Sequence, residues 1–311
     1  VNGGYSLTNG FIRGQRGNED IKWETTYQHN VGADFALLGN EIYGSFDWFN
    51  KQTKDILVSM DGIGAMGEGT SQWVNAGEMK NIGYEFSLGY RHEMKNGFSW
   101  DINGNIGSYS NEITKLPLTI ASKGTFGGNG VKSVVGHPMG AQVGYVYDGN
   151  FKSQDEVTNH ATQEGAGVGR IRYKDLNGDG RINEDDRDWI YDPTPAFTWG
   201  LNIYLQYKNF DLTMFWQGVQ GVDVMTFDFK KRTDFWANSD INVPYLNKGN
   251  RVLDAWSPSN PDSNIPMLTT ADNNKEGAIS SYYVENGSYA KLRNIQIGYN
   301  MSKDAVAKAH L

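Results

Sequence analysis

The side chains best arranged for chemistry lie between residues 175 and 186. Asp175, Asn177 and Asp179, followed by Gly180, occupy positions 1, 3, 5 and 6 of a calcium-binding loop. Alternate oxygen-bearing side chains in such a loop converge on one cation, and glycine permits the sharp turn. Arg181 would offer its backbone carbonyl at position 7, Asn183 a direct or water-bridged contact at position 9, and Asp186 a carboxylate at position 12. Asp186 reaches less far than the usual Glu, so the spacing predicts a weakly held Ca2+ that orders the loop. The same residues also suit an Asx-rich turn closed by its own side chains without metal.

Other candidate chemistry is sparse. Five histidines, His29, His92, His137, His160 and His310, are scattered without metal-ligand spacing. Glycoside hydrolysis needs two carboxylates at a set separation, and nothing selects one pair among the 36 acidic residues. Gly62–Gly67 fits G-x-G-x-x-G, but no helix or βαβ unit follows, so it reads as a loop. Phe235, Trp236, Tyr245 and Trp256 fall in a long linking stretch, where they either stack on a sugar or contact a partner, or only pack the loop. The absence of cysteine excludes disulfides, thiolate nucleophiles and Cys-ligated metal. The expected catalytic set is therefore empty, and the expected role is not enzymatic.

Charge and hydropathy narrow the partners. The 311 residues carry 28 Lys and Arg against 36 Asp and Glu, a net charge of −8, so nucleic acid is not an expected partner. Mean hydropathy is −0.57, yet aromatics make up 13% of the chain and Gly numbers 38. No apolar run approaches the roughly 20 residues of a membrane-spanning helix. Val1 is followed by no basic and apolar leader, which reads as a mature chain or a piece of a longer one.

The legible elements have period 2. Between Trp23 and Leu37 the odd positions are mostly apolar and the even ones almost wholly polar. After Gly39-Asn40 the pattern resumes with Ile42, Gly44, Phe46 and Trp48 on one face. Tyr84, Phe86, Leu88 and Tyr90 alternate next, turn at Lys95-Asn96-Gly97, and continue as Phe98, Trp100, Ile102 and Ile106. Phe197 to Tyr207 turns at Lys208-Asn209 and returns as Phe210 to Trp216, and Ile295 to Met301 gives a seventh strand. Short turns join the strands on one side, and linkers of about 25, 85 and 70 residues join them on the other. Ser302 is placed to cap a short helix over Lys303 to Leu311.

Alternation alone fits both a soluble sandwich and a membrane barrel. Strand length favours the barrel: at about 3.4 Å per residue and a tilt near 45°, the segment from Trp23 to Leu37 rises roughly 35 Å. Rings on the apolar face also gather at strand ends: Tyr90, Phe98, Trp100, Tyr207 and Phe210 near the short turns, and Trp23, Tyr27, Trp48, Phe197, Trp199 and Trp216 near the long linkers. Two aromatic belts mark the two interfaces of a bilayer. Seven strands leave the barrel incomplete, or further strands lie unread in the linkers. The opposite face, rich in Glu, Asp, Asn, Gln, Ser and Thr, suits a polar solute or a polar plug.

Four segments carry a family resemblance. Gly17-Asn18-Glu19-Asp20-Ile21-Lys22-Trp23-Glu24 resembles the "GNPxLKWE" stretch of SusC/RagA-type TonB-dependent outer-membrane transporters, with Glu19 in place of proline. Asn75-Ala76-Gly77 through Asn81-Ile82-Gly83-Tyr84-Glu85 resembles "NxGxxxNxGxE", and Tyr173-Lys174-Asp175-Leu176-Asn177-Gly178-Asp179-Gly180 resembles "YKDLNGDG". Tyr283 to Asn294 is similar to "YxEDGSYxRLKN". The resemblance implies an all-β fold, part of a 22-stranded, plugged antiparallel transmembrane β-barrel with long extracellular loops and short periplasmic turns. Residues 1–311 would be a partial barrel domain, with the plug and the final strands outside it. The resemblance further implies outer-membrane lipid, a SusD-like lipoprotein lid, TonB acting through an upstream segment, and an oligosaccharide or peptide substrate. The competing expectation is a soluble secreted carbohydrate-binding or adhesive β protein with a calcium loop.

Overall fold

The computed structural model describes residues 17–60, 71–121, 132–235, 249–269 and 273–301. The Gly62–Gly67 stretch, Trp236, Tyr245 and the expected helix after Ser302 lie outside them. In chain order the strands are β1 (Thr25–Leu37), β2 (Ile42–Met60), β3 (Gln72–Glu93), β4 (Phe98–Lys115), β5 (Gln142–Tyr145), β6 (Tyr147–Asn150), β7 (Ile171–Tyr173), β8 (Arg187–Tyr191), β9 (Phe197–Tyr207), β10 (Phe210–Gln220), β11 (Asp223–Met225), β12 (Val284–Asn286) and β13 (Tyr289–Tyr299). Seven of them form one sheet in the order β1-β2-β3-β4-β9-β10-β13, every neighbour antiparallel. These are the seven strands that the alternation predicts. Three run well past it, since β2 continues to Met60, β3 begins at Gln72 and β4 ends at Lys115. The six short strands pair only among themselves, in three two-stranded sheets within the linkers.

The register aligns the alternation across all seven strands. One row reads Ala33, Phe46, Phe86, Ile106, Trp199, Gly218 and Ala290, and two rows nearer the short turns come Leu37, Ile42, Tyr90, Ile102, Ile203, Met214 and Ile295. The apolar face ends at Phe98, Tyr207, Phe210 and Tyr299 on the turn side, and at Val31, Trp48, Tyr84 and Ser108 on the linker side. The next two rows are polar apart from Ile82 and Tyr27: His29, Asn50, Ile82 and Ser110, then Tyr27, Gln52, Lys80 and Glu112. From Phe98 to Ser108 is about 34 Å along the strand, or about 25 Å at a barrel strand's tilt, which is the height of a barrel's lipid-facing band. The opposite face of the sheet is polar, as in the row Asp34, Ser45, Ser87, Asn105, Gly200, Gln217 and Lys291.

Several glycines inside strands are covered by rings from the opposed residue. Tyr43 lies over Gly89, its cross-strand partner, so closely that a Cβ there would sit 2.2 Å from the ring. That ring position lets the Tyr43 hydroxyl donate to Asp101 Oδ1 at 2.6 Å, while Arg91 stacks on its other side with 5.2 Å to the ring centroid. Phe49 over Gly83 and Trp199 over Gly218 repeat the arrangement. Each ring replaces the packing that glycine lacks and resists register slip.

The strands have little core of their own; the largest buried side chains belong to the linkers. Tyr145, Ile171, Tyr173, Phe235, Tyr282 and Tyr283 form one cluster, flanked by Tyr147, Ile182, Met225, Phe227 and Ala278. It joins residues from two linkers, β4 to β9 and β10 to β13. Beside it, Arg170 makes a bidentate pair with Glu276, Nε to Oε1 and Nη2 to Oε2, both at 2.8 Å, and its Nη1 donates to Asn273 at 3.0 Å. Gln163 donates to the Ile171 carbonyl and to Asn274 Oδ1, and accepts from the Tyr173 amide. With side chains 7% and 2% exposed, the Arg170–Glu276 pair is inaccessible to water, and removing one partner strands the other charge.

Two outcomes test this account in the full-length protein. Gly89→Ala should displace the Tyr43 ring and cost about 1–3 kcal/mol in a denaturant titration in detergent micelles; an unchanged midpoint would remove the ring-over-glycine argument. Glu276→Ala should cost the linker block about 3–5 kcal/mol, read as faster hydrogen exchange at residues 163–173 and 273–283 with the sheet still protected. Exchange that rises equally in β9 and β10 would show that block and sheet unfold as one.

Candidate functional site: the polar sheet face and the linker block

Every long linker leaves the sheet at the same end, so the block stands over one edge of the polar face. On that face, a hollow of about 330 Å³ is lined by Ser45, Asp47, Glu85, Ser87, Asn105 and Thr198 among others. Ser45 and Ser87 share a hydroxyl hydrogen bond at 2.8 Å. Hydroxyls, amides and carboxylates of this kind exchange hydrogen bonds with polar solutes and provide no nucleophile–base pair.

The 175–186 loop is closed by its own backbone. Asp175 accepts from the Gly178 amide at 2.7 Å and the Gly180 amide at 2.9 Å, and Asp179 Oδ1 accepts from the Arg181 amide at 2.8 Å. Gly178 and Gly180 supply the left-handed backbone with φ of 74° and 78°. Asp186, fully buried, accepts from the Leu176 amide at 2.9 Å and the Asn183 amide at 2.8 Å, and the Asn183 side chain caps the turn by accepting from the Asp185 amide. Asp186 and Asn183 thus form a capping box rather than facing the loop's centre. Asn177 and Asp179 remain exposed, and Asp175 is half-buried. Among the described residues, no three His, Cys, Asp or Glu side chains come together in a metal-holding group.

Two of the four candidate ligand-contacting rings are packed away. Phe235 is 3% exposed and lies within 5.9 Å of the Tyr282 ring and 6.3 Å of the Tyr283 ring, centroid to centroid. Trp256 is 9% exposed and lies over Gly169, whose φ of +83° and lack of a side chain make room for the indole. Of the alternatives left open for these two rings, ligand or partner contact or packing of the loop, the packing is what the structure shows. Beside Phe235, the buried Asp234 receives Arg251 Nε at 2.9 Å and the Tyr282 hydroxyl at 2.6 Å. Burial first, and then this carboxylate, hold the Tyr282 phenol well above its ordinary pKa. Sequence reasoning missed Asp234, Arg251 and Tyr282, because their spacing follows no period and their partners lie 17 and 48 residues apart.

The belt residues sort by height. Phe98, Tyr207 and Phe210 form the turn-side row, joined by Tyr299, with Trp100 and Tyr90 in the next two rows. At the linker side Trp48 lies in the last apolar row with Tyr84, Phe197 is level with it, and Trp199 is one row inward. Trp216 lies one row further in, opposite Leu292. Tyr27 stands two rows beyond the band beneath Lys54, and Trp23, 90% exposed, precedes β1.

The segments that carry the resemblance also meet. Asn75 Oδ1 accepts from the Lys22 amide at 2.9 Å, and its Nδ2 donates to the Lys22 carbonyl and to the Asp55 carbonyl, each at 2.7 Å. Lys22 Nζ pairs with Asp55 at 3.0 Å, and Asn18 donates to the Trp73 carbonyl. Residues 17–22 are thereby latched across the end of β2 onto β3. Tyr173 and Tyr283 enter the shared core, and the Ser288 hydroxyl accepts from the Gly221 amide at 2.9 Å.

Comparison with known proteins agrees with this geometry. The family model "TonB dependent receptor-like, beta-barrel" matches residues 2–216. TonB-dependent receptor P3 of Formosa agariphila is 32% identical over 99% of the chain, and TonB-dependent receptor SusC of Bacteroides thetaiotaomicron is 28% identical over 91% of it. The chain spans 30% and 26% of those two proteins. A solved structure of the RagAB peptide transporter superposes on 93% of the chain with a TM-score of 0.72 at 21% identity, the match covering 30% of that structure's chain. With its seven-stranded antiparallel sheet and the family match over more than half its length, the chain belongs to the TonB-dependent receptor-like β-barrel family.

Proposed function

We propose that this chain is the lipid-embedded wall and vestibule of an outer-membrane importer that is driven through TonB. The observation that carries the reading is the apolar band, about 25 Å high and continuous across seven strands, backed by a polar face. An aqueous sandwich would bury that face against a second sheet. Here Val31, Phe46, Leu88, Ile102, Ile295 and Ile297 stay exposed. The passage wall suits oligosaccharides or peptides, whose hydroxyls and amides match Ser45, Asp47, Glu85 and Asn105. Relatives named as TonB-dependent receptors and a fold neighbour that transports peptides support import over catalysis. In this reading a SusD-like lipoprotein meets the linker block, and TonB acts through a segment upstream. The chain itself performs no bond chemistry.

We also propose a weak Ca2+ site on Asp175, Asn177 and Asp179, supported by the exposure of Asn177 and Asp179 and by alternate oxygen donors around two left-handed glycines. The ion would neutralise two carboxylates and stiffen the turn. Asp186 would contribute by holding the turn's shape.

Two measurements check these readings. Ile102→Lys, in the middle of the band, should cost insertion about 2–4 kcal/mol and deplete the full-length protein from the outer membrane, while Asn103→Lys on the other face should leave its level unchanged. Equal depletion, or recovery of the wild-type protein from the aqueous fraction without detergent, would overturn the membrane reading. Calorimetric titration should detect one Ca2+ with a dissociation constant of about 10⁻⁴–10⁻³ M, abolished by Asp175→Asn with Asp179→Asn; no heat at millimolar Ca2+ would leave the loop as a metal-free turn.

A further inference from the structure

A groove of about 420 Å³ opens on the apolar face at the top of the band. Its floor is Trp48, Ile82 and Tyr84, and one wall is the overhanging segment Pro195-Ala196. The cause is a gap in the backbone ladder. The β4–β9 pairing ends at Gly107 and Thr198. Above that, β4 stays paired to β3, but its other edge regains a backbone partner only at Ile113, which exchanges hydrogen bonds with Gly136 and His137 at 2.8 and 3.0 Å. Between these points that edge is met by side-chain bonds: Ser108 donates to the Ala196 carbonyl at 2.6 Å, and Asn111 accepts from the Met139 amide at 2.7 Å. The sheet surface is therefore notched where its neighbours are smooth.

We propose that this notch binds one lipid of the surrounding outer leaflet, its acyl chain on the Trp48–Ile82–Tyr84 floor and its hydroxylated head at the rim. The inference rests on the membrane reading above. Position decides the occupant. The floor continues the lipid-facing band without interruption, and the polar face that would meet a transported solute is on the other side of the sheet. Trp48 and Tyr84 lie in the row where hydrocarbon gives way to head groups, and the next rows are polar apart from Ile82 and Tyr27. Such a site must accept a molecule that is apolar below and polar above. The rim holds the exposed Asp192, and among the described residues no lysine or arginine lines the groove. A carboxylate without a cation repels phosphate and accepts from hydroxyl groups, so the head that fits is a sugar rather than a bare phosphate.

The test uses the full-length protein extracted in mild detergent, with native mass spectrometry and lipid extraction. The wild type should retain one lipid per chain. Ala196→Trp, which fills the notch from its overhang, should lose it, whereas Leu37→Trp, on the same face but far from the groove, should keep it. Equal retention by the wild type and Ala196→Trp, no retained lipid in the wild type, or a retained species with the mass of a protein chain would each overturn the proposal. These failures leave a detergent-extracted membrane protein intact. Recovery of the wild type as a detergent-free soluble species would instead sink the membrane reading and the groove with it.

Discussion

Inside a bilayer no water is present to accept a free backbone N–H or donate to a free C=O, so a strand crosses only when both of its edges are paired. That requirement dictates a continuous ladder, and within the band the described strands from β1 to β13 meet it at six antiparallel junctions, which leaves the outer edges of β1 and β13. Pairing in one register makes period-2 alternation a property of the whole surface. A slip of one residue in any strand would turn its lipid-facing residues into the passage and its Asp and Asn residues into hydrocarbon. Rings such as Tyr43 and Phe49, opposed to glycines that only a ring can cover, oppose such a slip strand by strand.

The same requirement explains why the molecule has its core in an unusual place. A lipid-facing sheet gains nothing by packing against protein on that side, so its large apolar residues stay exposed. Burial of the ordinary kind appears only where water returns, in the linker block. There the interior is built from tyrosines with hydroxyls to satisfy and from paired charges such as Arg170 with Glu276. A polar core of this type depends on geometry rather than on oiliness, because each group is costly unless its partner is in place.

Legibility in the sequence followed this division. Strands inside the band were readable because an apolar face on one side and a polar face on the other impose alternation at every step. The extensions of β2, β3 and β4 were not, since polar Asn50, Gln52, Lys80 and Glu112 replace the apolar face there, although Thr53, Val58 and Ile113 are buried. A bulge at Thr53 to Ile56, with Asp55 at φ 58°, interrupts the count as well. The block was opaque for another reason: Arg170, Glu276, Asn274 and Asp234 are residue types found mostly outside, and Arg170 and Glu276 lie 106 residues apart. Spacing drew Asp186 into a cation loop, whereas its carboxylate was spoken for by two amides of the turn itself. The family motifs were legible as strings, yet nothing in them announced that Asn75 and Lys22 touch.

That latch bears on the order in which the wall is built. The hairpins joining β1 to β2, β2 to β3 and β3 to β4 each close locally, one pair at a time. Asn75 cannot reach Lys22 until β3 is laid against β2, because 53 residues and a complete intervening strand separate them. The latch therefore acts as a late fastening: while it is open the start of β1 is free to fray, and once it shuts three strands are committed together.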